Sequence, residues 1–265
     1  MIEAAKRKSV KDLLDKRKAR KETGLFVVDG PRMVREIPGE LLTDVFVTES
    51  FLKDDASRMC ENILKDGNYS VVTESEMEKL SGTVTPQGIL AVARQKKTEN
   101  LEDIAARCSN TPFYIALEDI QDPGNLGTIF RAGEACGVSA VIMSGRTCDV
   151  YSPKVVRSTM GSVFRVPFLY SDDMTGTVRA LREGAFGRKA DILAAELRAS
   201  VDYTLYDYRN PFCIMIGNEA RGLSEELIGE ATVRIKIPML GNVESLNAAV
   251  AAAVIGFEAA RQRRI

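Results

Sequence analysis

Short apolar runs alternate with amphipathic stretches along this chain of 265 residues, and the alternation starts twice. In the first half, residues 24–28 (Gly-Leu-Phe-Val-Val), 45–48, 69–72 and 88–92 read as strands. Residues 31–37, 50–64 and 75–80 read as the helices between them. Over 50–64 the side chains Leu52, Ala56, Met59, Cys60, Ile63 and Leu64 share one helical face. From Thr111 a second series begins. Phe113-Tyr114-Ile115-Ala116-Leu117 is apolar throughout, the pattern of a strand buried on both faces of a parallel sheet. Comparable runs lie at 140–143, 163–168, 191–194, 212–216 and 233–237, with helices between most of them. A last helix is expected from near Ser245 toward Arg261, with Leu246, Ala249, Val250, Ala253, Val254 and Phe257 as its apolar stripe. The chain therefore reads as α/β throughout: a smaller α/β domain over 1–95, a polar linker over 96–110 with one amphipathic stretch (101–108), and a mostly parallel sheet flanked by helices over 111–265.

The longest apolar run, 248–257, is half of what a bilayer requires, since a span needs about 20 residues. The N-terminus turns to Lys6-Arg7-Lys8 without an apolar stretch behind it, so no secretory signal is expected. Cys60, Cys108, Cys136, Cys148 and Cys213 form an odd set with no C-x-x-C spacing. They read as reduced thiols in a cytoplasmic protein. Histidine is absent, which removes histidine general bases, Ser-His-Asp or Cys-His nucleophiles and His-ligated zinc. Chemistry would fall to other side chains or to a cofactor with its own reactive group; no metal is expected. With 36 basic and 37 acidic side chains the net charge is −1, which excludes a uniformly basic coat for nucleic acid but not a local patch. Lys6, Arg7, Lys8, Lys11, Lys16, Arg17, Lys18, Arg20 and Lys21 crowd the first segment, which reads either as a solvated helix end or as a phosphate-contacting arm.

Three loops, each following a buried strand, are unusual in composition. In open parallel sheets ligands bind beyond the carboxyl ends of strands. The first loop is Glu118-Asp119-Ile120-Gln121-Asp122-Pro123-Gly124-Asn125, leading into a helix with Arg131 about two turns inside. Asn125 can cap that helix, which reads either as a turn with an N-cap or as part of a catalytic site. The spacing fits neither a P-loop nor the dinucleotide G-x-G-x-x-G. The second is Gly217-Asn218-Glu219-Ala220-Arg221-Gly222-Leu223-Ser224, read either as a flexible connection or as a backbone cradle with Glu219 pointing into a site. The third runs from Ile237-Pro238-Met239 to Ser245-Leu246-Asn247, with Ser245 as the expected N-cap. The alanines that follow suit close helix packing or a dimer face, or simple helix propensity.

In order, Asn125-x-Gly127-x-x-x-Arg131, Gly217-Asn218-Glu219-x-x-Gly222-Leu223 and Ile237-Pro238-Met239…Ser245-Leu246-Asn247 resemble the three motifs of the SpoU-type RNA 2′-O-ribose methyltransferases of the SPOUT superfamily. The resemblance covers about residues 111–263. More weakly, residues 24–30 and the following helix resemble the small RNA-binding domain often fused ahead of that catalytic domain. The resemblance implies a deep trefoil α/β knot, an exception to the rule against threaded chains, S-adenosylmethionine as methyl donor, and a homodimer acting on structured RNA. Arg131 would be the catalytic arginine, gripping a phosphate and stabilising charge on the ribose 2′-oxygen, because a guanidinium is a poor base; direct proton abstraction stays open beside it. Glu219 would orient Arg131, while Asn125, Ser245 and Asn247 would hydrogen-bond the nucleotide and Arg131. Gly217, Ile237 and Leu246 would bind the donor through backbone groups, with Met239 packing on the adenine. Asn218 and Ala220-Arg221 depart from the family pattern, and Arg221 would add a phosphate contact.

Ribosomal RNA is the favoured substrate and transfer RNA the alternative. A non-catalytic RNA-binding protein keeping the knot is disfavoured by the joint presence of Arg131, Glu219, Ser245 and Asn247. A dinucleotide-dependent oxidoreductase is disfavoured by the missing glycine fingerprint and the lack of histidine.

Overall fold

In the computed structural model the described residues are 3–83, 85–96 and 99–264; residues 97 and 98 of the expected linker, with 1, 2, 84 and 265, lie outside them. The chain divides into two compact units. One comprises Met1–Lys97 with Asp149–Phe164, the other Thr98–Cys148 with Arg165–Ile265.

The first unit carries a four-stranded sheet of β1 (Leu25–Asp29), β2 (Leu42–Thr48), β3 (Ser70–Val72) and β4 (Ile89–Arg94) in the order β1-β4-β2-β3. The β1/β4 and β4/β2 pairings are antiparallel and β2/β3 is parallel. Val10 and Leu13 of the Ala4–Asp15 helix join Met77 and Leu80 of the Glu74–Ser81 helix over Val27, Phe46, Leu90 and Val92. The helix expected over 50–64 is broken into Glu49–Lys53, a tight 3-10 segment Asp55–Cys60 and Glu61–Leu64. The cause is local: the Asp54 carboxylate accepts from Ala56 N at 2.7 Å and starts a new turn.

Within the expected basic arm the side chains have different fates. Arg20 is buried, 5% exposed. Its Nε donates to Asp149 at 2.8 Å, and its Nη1 donates to the carbonyls of Leu13 and Leu14, which the Ala4–Asp15 helix leaves open at its end. Lys6 pairs with Asp44 and Arg7 with Glu76. The segment from Asp149 adds the Tyr151 ring, 4.6 Å from Phe26, and the Tyr151 hydroxyl accepts from Lys96 N. Arg157 of the Pro153–Thr159 helix donates to Asp29, whose carboxyl is raised by burial against the pull of that guanidinium.

The second unit is a seven-stranded sheet: β5 (Phe113–Leu117), β6 (Ala140–Ser144), β7 (Phe168–Ser171), β8 (Asp191–Ala195), β9 (Val201–Asp202), β10 (Phe212–Ile216) and β11 (Val233–Lys236), ordered β7-β6-β5-β10-β8-β11-β9. All six neighbour pairings are parallel. One face (Tyr114, Ala116, Ile142, Ile192, Cys213, Met215) packs on Leu101, Ile104, Val178, Leu181 and Leu227. The Leu101–Arg107 helix inside the expected linker thus contributes to this core. On the other face the Pro123–Cys136 and Ala248–Arg263 helices pack together closely. A Cβ on Gly256 would stand 3.1 Å from the Cys136 sulfur, so glycine permits the approach. The alanine stripe Ala248, Ala249, Ala252 and Ala259 is buried with it.

The strand expected at 163–168 is not formed. Residues Ser162–Arg165 are helical, and β7 begins at Phe168, just after Pro167. A short apolar run does not distinguish helix from buried strand by period, and Pro167 has no N–H to donate to a ladder. The two-residue β9 lies in no run that the pattern marked. Among the described residues no helix is long and apolar enough to cross a membrane, and no group of three or more Cys, Asp or Glu side chains could hold a metal ion.

Replacing Arg20 by methionine strips a half-buried carboxylate and two helix-end carbonyls of their donor. The expected cost is about 3 kcal/mol of unfolding free energy, read by urea denaturation. A loss under about 1 kcal/mol would make the pair no better than one on the surface.

Candidate active site

Strand order reverses at the junction of β5 and β10. The chain proceeds from β5 to β6 to β7 on one side, then returns to β8 on the far side of β10. The carboxyl ends of β5 and β10, with Leu117 facing Ile216 in register, therefore open a crevice at the switch point. All three unusual loops reach it.

The first loop leaves β5 through Asp119, a non-glycine residue with φ 55°. Its strain is held by surrounding bonds. Asp119 N donates to Ser144 Oγ at 2.8 Å, and Ser144 Oγ donates to the Asp119 carboxylate at 2.7 Å. Asp122, not Asn125, caps the following Pro123–Cys136 helix, accepting from Asn125 N at 2.9 Å; Pro123 sits in the first turn. The Asn125 side chain is thereby free for the site.

The second loop folds back on itself. Asn218 and Gly222 exchange backbone hydrogen bonds at 3.1 and 2.8 Å, and the Asn218 carboxamide oxygen accepts from Ala220 N and Arg221 N. A Cβ on Gly217 would lie 2.1 Å from the Gly222 carbonyl carbon, so only glycine lets the loop close. Gly222 has φ 71°. This fold-back aims Glu219 across the crevice. Its carboxylate accepts from Asn125 Nδ2 at 2.9 Å, Asp122 N at 3.1 Å and Gln121 N at 3.3 Å. Burial raises the Glu219 carboxyl, but these N–H groups outweigh it and hold the carboxyl below its ordinary value.

In the third loop Asn247, not Ser245, is the N-cap, and the last helix begins at Ala248. Its carboxamide oxygen accepts from Ala249 N at 2.9 Å and Val250 N at 3.3 Å, while its Nδ2 donates to Asn125 Oδ1 at 2.8 Å. Asn247 is thus the cap itself, and its amide nitrogen is spent on the neighbouring loop.

The structure thus joins Asn125, Glu219 and Asn247 in one chain of hydrogen bonds. It does not join Arg131 to Glu219. Among the described residues Arg131 has no hydrogen-bond or ion-pair partner, and it is exposed. Ser245 is exposed; Ile237, Met239, Leu246 and Gly217 are half-buried. Sequence reasoning left Asp119, Asp122 and Ser144 without a role, because a left-handed aspartate and its bracing hydroxyl have no motif. Burial pushes the thiols of Cys60 and Cys136 up to about 11 and that of Cys213 up to about 12, which keeps these three protonated at neutral pH.

Residues 112–257 match the SpoU rRNA Methylase family, and residues 6–91 match the MRM3-like substrate binding domain. The chain belongs to the SpoU rRNA methylase family. This SpoU methylase is 28% identical over 258 residues to the 23S rRNA (guanosine(2553)-2'-O)-methyltransferase RlmP of Bacillus subtilis, with 97% of each chain covered. It is 28% identical over 239 residues to the 23S rRNA (guanosine-2'-O-)-methyltransferase RlmB of Xylella fastidiosa, covering 82% of this chain and 94% of that one. Its fold is similar to that of the SpoU methyltransferase AviRb from Streptomyces viridochromogenes in complex with AdoMet, at a TM-score of 0.85 and 27% identity over 99% of each chain.

The family's donor is S-adenosylmethionine, and the residues present fit it. Among the described residues, the main-chain groups of 238–246 make no backbone hydrogen bond. They offer unpaired N–H and C=O groups beside the half-buried side chains of Ile237, Met239 and Leu246, which suits a ligand with polar edges and an apolar body.

Because the folded Glu219 carboxyl lies below its unfolded value, its stabilisation is complete above the ordinary carboxylate range and is lost as pH falls through the lowered value. Glu219→Gln, which turns an NH2 toward Gln121 N, should cost about 1 kcal/mol. By differential scanning fluorimetry the gap to the unsubstituted chain should be constant from about pH 6 to 8 and narrow below about pH 4. A gap that widened in acid would contradict the network.

Proposed function

We propose that this SpoU methyltransferase methylates a ribose 2′-hydroxyl in structured ribosomal RNA, working in the cytoplasm as a homodimer. The observation that carries the reading is the Asn247–Asn125–Glu219 chain of hydrogen bonds, which locks three loops around one crevice while Arg131 has no partner among the described residues. The two curated relatives named above both act on 23S rRNA by their names.

S-adenosylmethionine supplies an already activated methyl group when bound, so the protein has only to place the acceptor oxygen and stabilise the charge that grows on it. Gly217, Ile237 and Leu246 would hold the donor through main-chain groups, and Met239 would pack on its adenine. Arg131 has no partner among the described residues to compete with RNA. A guanidinium keeps its protons at neutral pH and donates in a fork, so Arg131 would grip a phosphate and stabilise the developing 2′-oxyanion. Glu219 serves as the brace between loops, in place of the arginine-orienting role expected from the motifs. Asn125 and Asn247 are positioning residues through each other, and the exposed Ser245 hydroxyl is available to the nucleotide. The trefoil threading of the C-terminal segment belongs to the same family reading.

Residues 1–95 would read the RNA. Lys8, Lys11, Arg17 and Lys21 are exposed on the paired N-terminal helices, whereas Arg20 is structural. The dimer reading rests on the last helix. Val250 and Phe257, two turns apart on one face, are 47% and 51% exposed, and Leu240 and Val243 in the preceding loop are exposed as well. A second copy would cover this face.

Arg131→Ala should abolish transfer of labelled methyl to unmodified ribosomal RNA and leave donor affinity within a few-fold by calorimetry. In the same assay Lys8→Glu with Lys11→Glu should raise KM for RNA alone. Mapping 2′-O-methyl sites in cells with and without the protein decides the substrate, and sites lost only from transfer RNA would overturn the ribosomal reading. Phe257→Glu should convert a dimer to monomers in sedimentation equilibrium; a monomeric unsubstituted chain would sink the dimer.

A further inference from the structure

Asp119 is the hub of the first loop, and not all of its bonds are explained by holding the site together. Its carbonyl accepts from two carboxamides: Asn218 Nδ2 at 2.8 Å and Gln121 Nε2 at 3.2 Å. Gln121 Nε2 also donates to the Arg146 carbonyl at 2.7 Å, and the Asn218 carboxamide oxygen accepts from Arg221 N at 3.2 Å. The two amides therefore tie the backbones of Arg146, in the loop after β6, and Arg221, in the loop after β10, to one residue after β5. The Asp119 carboxylate is 16% exposed. One oxygen is taken by Ser144, and the other lies 3.8 Å from Arg146 Nη1 and 3.7 Å from Arg221 Nη2. Both guanidinium side chains are open to solvent, 81% and 71% exposed.

Two positive groups thus share one carboxylate at ion-pair limits too long for a good hydrogen bond. Surface pairs of this kind add little stability, so holding the fold does not account for the arrangement. Nearby carboxylates are turned inward onto protein N–H groups: Glu118 onto Ser224 N, Asp122 onto Asn125 N, and Glu219 onto Asn125, Asp122 and Gln121. Arg146 and Arg221 are charged groups left facing out at this rim of the crevice, with the exposed Asp172 carboxylate near Gly145. A residue kept at φ 55° when glycine would avoid the strain also points to a use for its side chain.

We propose that Asp119 is a positioning residue that holds Arg146 and Arg221 as a paired clamp for RNA phosphodiester groups beside the target ribose. The clamp rests on the reading of the chain as an RNA 2′-O-methyltransferase and adds to it the groups that register the strand over the crevice. One carboxylate neutralises only part of two guanidiniums. Their remaining N–H donors match phosphate oxygens in a fork geometry, which lysine would not reproduce. Such contacts position the strand without reading its sequence.

The test uses the full chain, in vitro-transcribed unmodified 23S ribosomal RNA and labelled S-adenosylmethionine, with RNA affinity by filter binding from about 50 to 250 mM KCl. Arg146→Gln and Arg221→Gln should each raise KM for RNA about five- to tenfold and lower the slope of log affinity against log salt by about 0.7–0.9. Donor affinity by calorimetry should stay within about twofold, and kcat at saturating RNA within about threefold. Asp119→Asn keeps a residue suited to the left-handed conformation and able to bond Ser144. It should weaken RNA binding even though it removes a negative charge. Unchanged salt slopes in both arginine variants, or tighter RNA binding by Asp119→Asn, would overturn the clamp. If the unsubstituted chain transfers no methyl group to ribosomal RNA, the functional reading fails separately, and the filter-binding slopes still decide the clamp.

Discussion

The parallel pairing of β5 with β10 is the constraint on which the second unit depends. Ten residues with no exposed side chain set Leu117 level with Ile216. Whatever follows each strand must then share one crevice, although Glu118 and Glu219 are 101 positions apart in the chain. Strands buried on both faces place loop roots with little slack, and short carboxylate and carboxamide side chains can span the remaining gap only if the roots are so placed. The Glu219 bonds to Asn125, Asp122 and Gln121 are the local result of that pairing.

The third loop is placed by packing. The Ala248–Arg263 helix lies close against the Pro123–Cys136 helix because small residues line the contact, with Gly256 against Cys136. Larger side chains would lift the helix and carry its N-cap away from Asn125, since a residual gap of even one methylene is felt in a close-packed interior. Asn247 then does two jobs with one carboxamide, capping its own helix through oxygen and reaching Asn125 through nitrogen. A site without histidine is assembled in this way from neutral amides around one carboxylate, and its amide groups hold their geometry without changing charge across the neutral range.

Arginine shows how far environment decides role. Arg20 is buried and serves as a peg between a helix end and Asp149. Arg131 is exposed on a helix, with no partner among the described residues. Arg146 and Arg221 lean over one carboxylate with most of their surface in water. All four are the same chemical group. Only the count of protein acceptors around each one separates a structural cation from one able to meet a polyanion.

Much of this was written in the chain itself. Apolar runs such as 113–117 and 212–216 marked strands buried on both faces, because two-sided burial leaves no polar positions to alternate. Three ordered motifs marked the family by resemblance, and two of their residues have local reasons: the fold-back needs glycine at 217, and the last helix needs the capping side chain of Asn247. The same local signals misassigned details that depend on distance. Asn125 and Ser245 were plausible caps, but Asp122 and Asn247 took those places, since neighbouring residues with equal capping chemistry are separated only by where the helix is pinned from outside. The partner of Glu219, the burial of Arg20 and the hub at Asp119 came from tertiary structure alone. Each depends on groups more than 20 positions apart meeting within a few ångströms, and no local pattern carries that information.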